Sequence, residues 1–507
     1  MGLYDLTFYD LISRNAIAFR RKQAWLDAED RKTLTFSEFK EQVDRLACGL
    51  QKQGVGKSDR IGVLAKNSLD YFLLIGATAA VGAMIIPINW RLSADEICFI
   101  VNDGQLKLLF IDKEYQELIQ GLKGKLPSVE GYFGLDSKSE GFHDFNLLLD
   151  NPVDFHRVSI SSDDGFVIIY TAAVAGRPRG ALLSHENVLC ADMHLDYFLN
   201  VTPRDIHLSY LPFFHVAGLF MATTSFHAGA LSVNMKRFDA AVAVELIQEK
   251  KISFMMDFAP VLASLLEESQ KKSTDLSSLR VIVGIDTSDN IEKYQVVTGG
   301  TFWCVYGQTE TSLLATLGAY NDRPGSAGRV LPLAEVRLMN DFDREVPLGQ
   351  VGEITMRGPM VFKGYWNLPE DTAYTFREGW HHTGDMGRFD EEGFLWYAGR
   401  KAEKELIKPG GENVYPAEVE KVILQHPAVE KVVVFGVPDP KWKEGIKAVC
   451  KLKQGHNLEP QALIDFVGER IARYKKPQHV EFVSEIPLRE DGTPDRQKVK
   501  ASYGGTI

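Results

Sequence analysis

Residues 170–185 read YTAAVAGRPRGALLSH, directly after the apolar run Phe166-Val167-Ile168-Ile169. The run predicts a buried strand, Gly176, Pro178 and Gly180 predict a short turn, and Ser184-His185 opens a helix. A strand, a Gly-containing turn, the fixed cation of Arg179 and a helix start together suit a polyphosphate. Backbone N–H groups at a helix start attract anions, and a cation neutralises them. Ala172, Ala173, Val174 and Ala175 fill the turn where a working phosphate loop has Ser, Thr and Gly. The stretch therefore reads as a nucleotide-using frame that has lost its hydroxyls.

Outward from this point the chain alternates apolar strand-like runs with amphipathic helical stretches. Ile61-Gly62-Val63-Leu64-Ala65, Leu108-Leu109-Phe110-Ile111 and Val281-Ile282-Val283 predict buried strands. Such alternation predicts an α/β fold with mostly parallel sheets. Ligands then collect beyond the carboxyl ends of the strands, so post-strand loops are the places to search. From Val330 the pattern becomes period-two, as in Leu333 to Leu338 and Glu353 to Arg357, which predicts a small β-rich subdomain of antiparallel strands. A boundary falls near Gly399-Arg400, where a charge-dense stretch meets Pro409-Gly410-Gly411. Beyond it, helices over 417–424 and 461–474 and a strand over 432–435 predict a compact α+β domain of about 100 residues.

At 507 residues the chain exceeds one compact core, so at least two domains are expected. The net charge of −11 argues against a nucleic-acid partner, which normally meets a basic face. Five cysteines lie far apart without a CxxC pair, which argues against a disulfide framework or a zinc site and fits a reducing compartment. The N-terminus lacks a basic segment followed by an apolar run, and Leu6 stands where a myristoylation motif needs Ser or Thr. The longest apolar stretch, 71–88, is broken by Gly76, Gly82 and Pro87, so it predicts a buried helix running into a core strand and no membrane span. A cytoplasmic protein is expected.

Three further segments carry candidate chemistry. Tyr306-Gly307-Gln308-Thr309-Glu310 follows an apolar run, and Glu310 offers an oxygen ligand to a hard cation such as Mg²⁺; the same segment reads equally as a surface turn. The polar loop Gly379-Trp380-His381-His382-Thr383-Gly384-Asp385 ends on a carboxylate that could accept both hydroxyls of a ribose or cap its own turn. No third ligand accompanies His381 and His382 at metal spacing. Gly410-Gly411-Glu412-Asn413-Val414-Tyr415-Pro416 permits close backbone approach to a narrow ligand, or is a helix-entry turn with Pro416 at the first helical position.

The segments occur in one order: the 170–185 loop, LPFFH at 211–215, YGQTE at 306–310, GSAGR at 325–329, GEITMRGP at 352–359, GWHHTGD at 379–385 and GGENVYPAEVE at 410–420. That order resembles the adenylate-forming superfamily of acyl-CoA synthetases, peptide-synthetase adenylation domains and firefly-type luciferases. The resemblance runs from Leu34-Thr35-Phe36 nearly to the C-terminus. It implies a large N-terminal domain, 1–400, and a smaller mobile C-terminal domain, 401–507. It further implies two half-reactions: a carboxylic acid attacks ATP to give acyl-AMP, and coenzyme A then displaces AMP. Thr171 and Arg179 would hold the β/γ-phosphates, Glu310 would bind Mg²⁺, and Thr309 would contact the α-phosphate. Tyr306 and Gly284 would flank the adenine, with Gly307 and Gln308 in the same nucleotide-binding turn. Asp385 would hold the ribose with Arg400 as second contact, and His215 would wall the acyl pocket from the α-phosphate. The hinge would lie near Glu405 and Lys404, and Gly410-Gly411 would flank the pantetheine tunnel.

The chain departs from the superfamily's pattern at specific places. TAAVAGRPRG stands for TSGTTGxPKG, Thr493 stands where a late catalytic lysine follows Gly492, and the hinge 400–405 is longer than usual. The first two bear on adenylation. A planar Arg fork is not a lysine point charge. His215, in place of an Asp that would hold an ammonium, favours an acid without an α-amino group. The expected activity is an ATP-dependent, AMP-forming ligase joining a fatty or aromatic carboxylic acid to coenzyme A. The alternatives are a half-active or non-catalytic relative that binds AMP, acyl-AMP or acyl-CoA with weak or no adenylation, and a module that loads a carrier protein, which the end at Ile507 disfavours. Assembly is not encoded; a homodimer is left open.

Overall fold

The computed structural model describes residues 6–171, 177–401, 406–409, 412, 414–439, 443–488 and 494–504. The chain divides into two compact units, one comprising Met1–Trp90, Val101–Tyr170 and Gly180–Gly399, the other Arg91–Ile100, Thr171–Arg179 and Arg400–Ile507.

In the first unit two large sheets carry the α/β architecture. The eight-stranded sheet runs Gly364–Tyr365, Arg179–Ser184, Gly165–Thr171, Met84–Pro87, Arg60–Leu64, Leu108–Ile111, Gly131–Gly134 and His143–Asp144. Its inner pairs are parallel. The nine-stranded sheet places the parallel strands Phe254–Phe258, Val281–Ile285 and Thr301–Tyr306 side by side. The apolar stretch 71–88 resolves as expected into the helix Leu69–Val81 and the strand Met84–Pro87. Every residue of that helix except Asp70 is buried, which is why its sequence is apolar all round. Ser68 caps its start, and Gly82 ends it in the left-handed conformation that glycine adopts without steric cost. Phe72 from this helix stacks on Trp25 (4.8 Å) and meets Phe39 (5.5 Å) and Phe226 (5.7 Å), an aromatic centre for the core.

The β-rich subdomain is an antiparallel sheet of Glu335–Met339, Gly352–Arg357, Trp380–Phe389, Phe376–Arg377 and Leu395–Arg400. Here one expectation is corrected. The segment 379–385 is no loop: from Trp380 onward it is strand, with Gly384 at φ +72° and a register shift against Gly352–Arg357. Its polar side chains satisfy one another inside the sheet (His382 lies 2.9 Å from Glu353, and Thr383 donates to Ile354 O), so polarity did not mean exposure.

In the second unit Val429–Asp439 pairs antiparallel with Lys443–Leu452, which pairs parallel with His479–Phe482. Val432 and Val434 pack toward helices Pro416–Ile423 and Pro460–Gly468, while Val433, Phe435 and Val437 pack toward Val499 of helix Arg496–Tyr503. Side-chain alternation along the strand sends these residues to opposite faces. The helix expected over 461–474 is shorter. Its apolar spacing runs on to Tyr474, but Gly468 ends the helix, and Tyr474 reaches the same cluster from the single turn Arg473–Lys475. The alanine-rich turn at 172–176, Lys404, Glu405, Gly410, Gly411 and Thr493 lie outside the described residues.

Ser184 caps helix His185–Leu199 through a reciprocal pair with Asn187. His185 behind it is fully buried, stacked on Phe166 (4.5 Å), and accepts from Phe8 N at 3.3 Å through Nδ1. Burial pushes its imidazole down to about 4, against an ordinary 6.5. The unfolded chain therefore binds more protons between these values, and this residue's contribution is present above about 6.5 and lost as pH falls toward 4. The stability difference between the wild type and His185→Phe should shift by about 3 kcal/mol in the variant's favour from pH 7 to pH 4, read from urea midpoints at each pH.

Candidate active site

Three adjacent parallel strands build the base of the site. Asp257, Gly284 and Cys304 stand in register across them. A Cβ at Gly284 would lie 1.9 Å from Asp257 O, so only glycine permits this approach. Two residues past Cys304, Tyr306 ends its strand, placing Gly284 and Tyr306 at neighbouring carboxyl ends.

The chain then turns sharply. A Cβ at Gly307 would meet Leu313 O at 2.0 Å, and the loop closes with Leu313 N donating to Gln308 O (3.0 Å) and Ala315 N to Tyr306 O (2.8 Å). Thr309 and Glu310 lie in the single turn Thr309–Thr311, with Thr309 half-buried. Glu310 is 7% exposed, so this is no surface turn. Its Oε1 accepts from the Tyr365 hydroxyl at 2.7 Å, and its carbonyl accepts from Phe362 N at 2.9 Å.

Asp385, 2% exposed, is brought to the same turn. Its Oδ2 accepts from the Tyr306 hydroxyl (2.9 Å) and Gln308 Nε2 (3.2 Å), and the Tyr397 hydroxyl stands 3.5 Å from Oδ1. The side chain thus faces partners on other segments and does not cap its own turn. Burial first, then the Asp385 carboxylate, raise the Tyr306 phenol well above its ordinary value and keep it a neutral donor. Tyr397 lies with its ring centre 6.0 Å from that of Tyr306.

His215 occupies the N-cap position of helix Val216–His227 and is half-buried, its ring 5.2 Å from Phe214. Asn67 fixes the preceding loop by accepting from Phe213 N (3.0 Å) and donating to Leu211 O (2.8 Å). In the second unit, Thr171 donates to Arg179 O at 3.3 Å, and Arg400 ends strand Leu395–Arg400. Tyr365 and His381 are partners of the site that the sequence did not single out as such. In the sequence the two histidines stand out only as a pair without a third metal ligand. As neighbours in a strand they face opposite ways, His381 toward Gln308 and His382 toward Glu353. Among the described residues no group of three or more His, Cys, Asp or Glu could hold a metal ion.

A site at the carboxyl ends of parallel strands, with a buried tyrosine–carboxylate pair, defines the class. Residues 12–366 match the AMP-binding enzyme family and residues 418–493 its C-terminal domain, and the chain belongs to that family. It is 33% identical over 483 residues to the indoleacetate–CoA ligase of Aromatoleum aromaticum, covering 92% of each chain. It is 30% identical over 514 residues to the long-chain-fatty-acid–CoA ligase FadD13 of Mycobacterium tuberculosis, covering 98% of each. The solved structure of o-succinylbenzoate CoA synthetase from Bacillus subtilis superposes with a TM-score of 0.86 at 26% identity, over 99% of this chain and 100% of that one.

Because the Gly307 approach is backbone against backbone, neighbouring side chains cannot relieve it. Gly307→Ala should cost about 1–3 kcal/mol, seen as a lower urea midpoint at unchanged slope.

Proposed function

We propose that the protein is an ATP-dependent, AMP-forming ligase that activates a fatty or aromatic carboxylic acid as its adenylate and passes the acyl group to coenzyme A. The observation that carries this reading is the buried Asp385 carboxylate bonded to Tyr306 and Gln308 beside the Gly284 strand end, in a chain of the AMP-binding enzyme family. A nucleoside is served by this set: a flat aromatic face and a glycine edge for the base, a carboxylate for ribose hydroxyls. Arg400 is the second ribose contact. Thr171 and Arg179 neutralise the β/γ-phosphates and Thr309 holds the α-phosphate. Such chemistry rests on positioning and charge neutralisation. His215 walls the acyl pocket. Lys404, Gly410 and Gly411 serve the hinge and the pantetheine arm. Residues 1–400 and 401–507 act as the two domains, and the protein works in the cytoplasm.

Glu310 fits Mg²⁺: it is a hard oxygen donor, held in place by Tyr365. With no protein cluster among the described residues to complete the shell, the remaining positions fall to substrate phosphates and water, as Mg²⁺ prefers. When bound, the ion neutralises charge on the phosphates. Tyr365 keeps the carboxylate aimed.

Pyrophosphate exchange with ATP, screened over fatty and aromatic acids and followed by acyl-CoA formation, tests the reading. Acid-dependent exchange and thioester product are expected; nucleotide binding without exchange under any acid would favour the half-active alternative. Glu310→Gln should lower kcat by about 100-fold or more. Thr493→Lys should raise the exchange rate by about 10-fold or more, since it places a lysine directly after Gly492, where the resemblance expects one.

A further inference from the structure

We propose that His381 is a positioning residue for nucleotide binding, acting through Gln308 to hold the Asp385 carboxylate in its ribose-accepting pose. This rests on the ribose assignment of Asp385 above.

The imidazole is fully buried, with Phe362 at 5.2 Å and Phe376 at 5.6 Å packed against its ring. Nε2 lies 3.1 Å from Gln308 Oε1, and Nδ1 lies 3.1 Å from Thr375 Oγ1. The amide is constrained from its other end. Gln308 Nε2 donates to Asp385 Oδ2 (3.2 Å) and to Thr383 O (3.3 Å), so its oxygen must face the imidazole. An amide oxygen needs a donor, which assigns a proton to Nε2. The Thr375 hydroxyl has one proton, which goes to Nδ1 or to His382 O at 3.0 Å. Only the first leaves the proton of a neutral ring on Nε2, because a hydroxyl turned to His382 O makes Oγ1 an acceptor that calls for a proton on Nδ1; the Gln308 oxygen, which needs a donor, selects the first.

The consequence is directional. A primary amide presents nearly the same shape when turned by 180°, and a turned Gln308 would aim its oxygen at the Asp385 carboxylate. His381 supplies the donor that makes the observed direction the better one. It thereby fixes an N–H on Oδ2 while the Tyr306 hydroxyl fixes the same oxygen from the other side. A carboxylate so held is pre-organised for a diol and loses less freedom on binding.

The test measures steady-state kinetics of the full chain with ATP and with 2′-deoxy-ATP, alongside thermal midpoints. His381→Phe and Gln308→Leu should each raise the KM for ATP about 10-fold, the loss of one hydrogen bond to a charged group. Both should narrow the preference for ATP over 2′-deoxy-ATP, leave the KM for coenzyme A and for the acid within about 2-fold, and fail to add when combined. His381→Gln keeps an N–H near the Nε2 position and should restore the preference. A lowered thermal midpoint with an unchanged ATP preference in His381→Phe overturns the proposal. If that variant does not fold, Gln308→Leu reads the same link, and an unchanged preference there overturns it equally. Asp385→Asn separates the two levels of the argument. If it erases the ribose preference while the other variants keep it, the link through His381 is wrong; if it changes nothing, the ribose assignment itself is wrong and the link to ribose falls with it.

Discussion

A carboxylate taken almost wholly out of water must find donors, or its desolvation is not offset. Asp385 meets this demand with Tyr306 and Gln308, and the constraint reaches far into the larger unit. Tyr306 ends a strand of the nine-stranded sheet, Asp385 belongs to the five-stranded one, and Glu310, four residues after Tyr306, bonds Tyr365 of the eight-stranded one. The five residues from Tyr306 to Glu310 are therefore where all three sheets of that unit are joined by polar contacts. A turn this short can reach three sheets only if it is tight, which is why Gly307 tolerates no side chain.

This joint gives the site its rigidity. Donors mounted at strand ends need little reorganisation when a ligand arrives, in contrast to donors on a long loop. Gly284, whose strand sits beside that of Tyr306, adds a close backbone approach on the same floor. The histidine, amide and carboxylate then form a chain of buried groups in which each proton has a place. Such networks are strong when complete and costly when one member is missing.

Much of this was legible in the sequence, and for reasons that can be named. The parallel strands were visible because buried strands are continuously apolar, as in Val281 to Val283, and the buried helix Leu69–Val81 because no charged residue interrupts it after Asp70. The segments around Tyr306 and Asp385 could be found by their order along the chain. What stayed hidden was pairing. Polarity in GWHHTGD suggested a loop, because sequence alone does not show that Glu353, Arg377 and Gln308 lie opposite to satisfy it. The histidine pair lacks a third ligand at metal spacing, and what the sequence did not show is that the strand turns its two members to different partners. Tyr365 gave no signal, since nothing in Lys363-Gly364-Tyr365-Trp366-Asn367 marks it as the partner of Glu310, far away in the chain.

The departures at the phosphate loop fall on a different part of the reaction from the features that are kept. In the proposed function Tyr306, Gln308 and Asp385 address the nucleoside, which is the same in substrate and transition state, so they would set affinity uniformly. The sequence departures at 172–175 and at Thr493 fall in the two segments that the resemblance to the superfamily assigns to adenylation. Interactions that strengthen only in the transition state govern kcat, whereas uniform ones govern KM. A chain with the nucleoside end intact and fewer donors at the phosphate end should therefore keep its grip on ATP while its chemical step slows. Arg179 retains a cation in that stretch of sequence, so the hydroxyl donors and the geometry of the cation are what separates this chain from the superfamily's pattern.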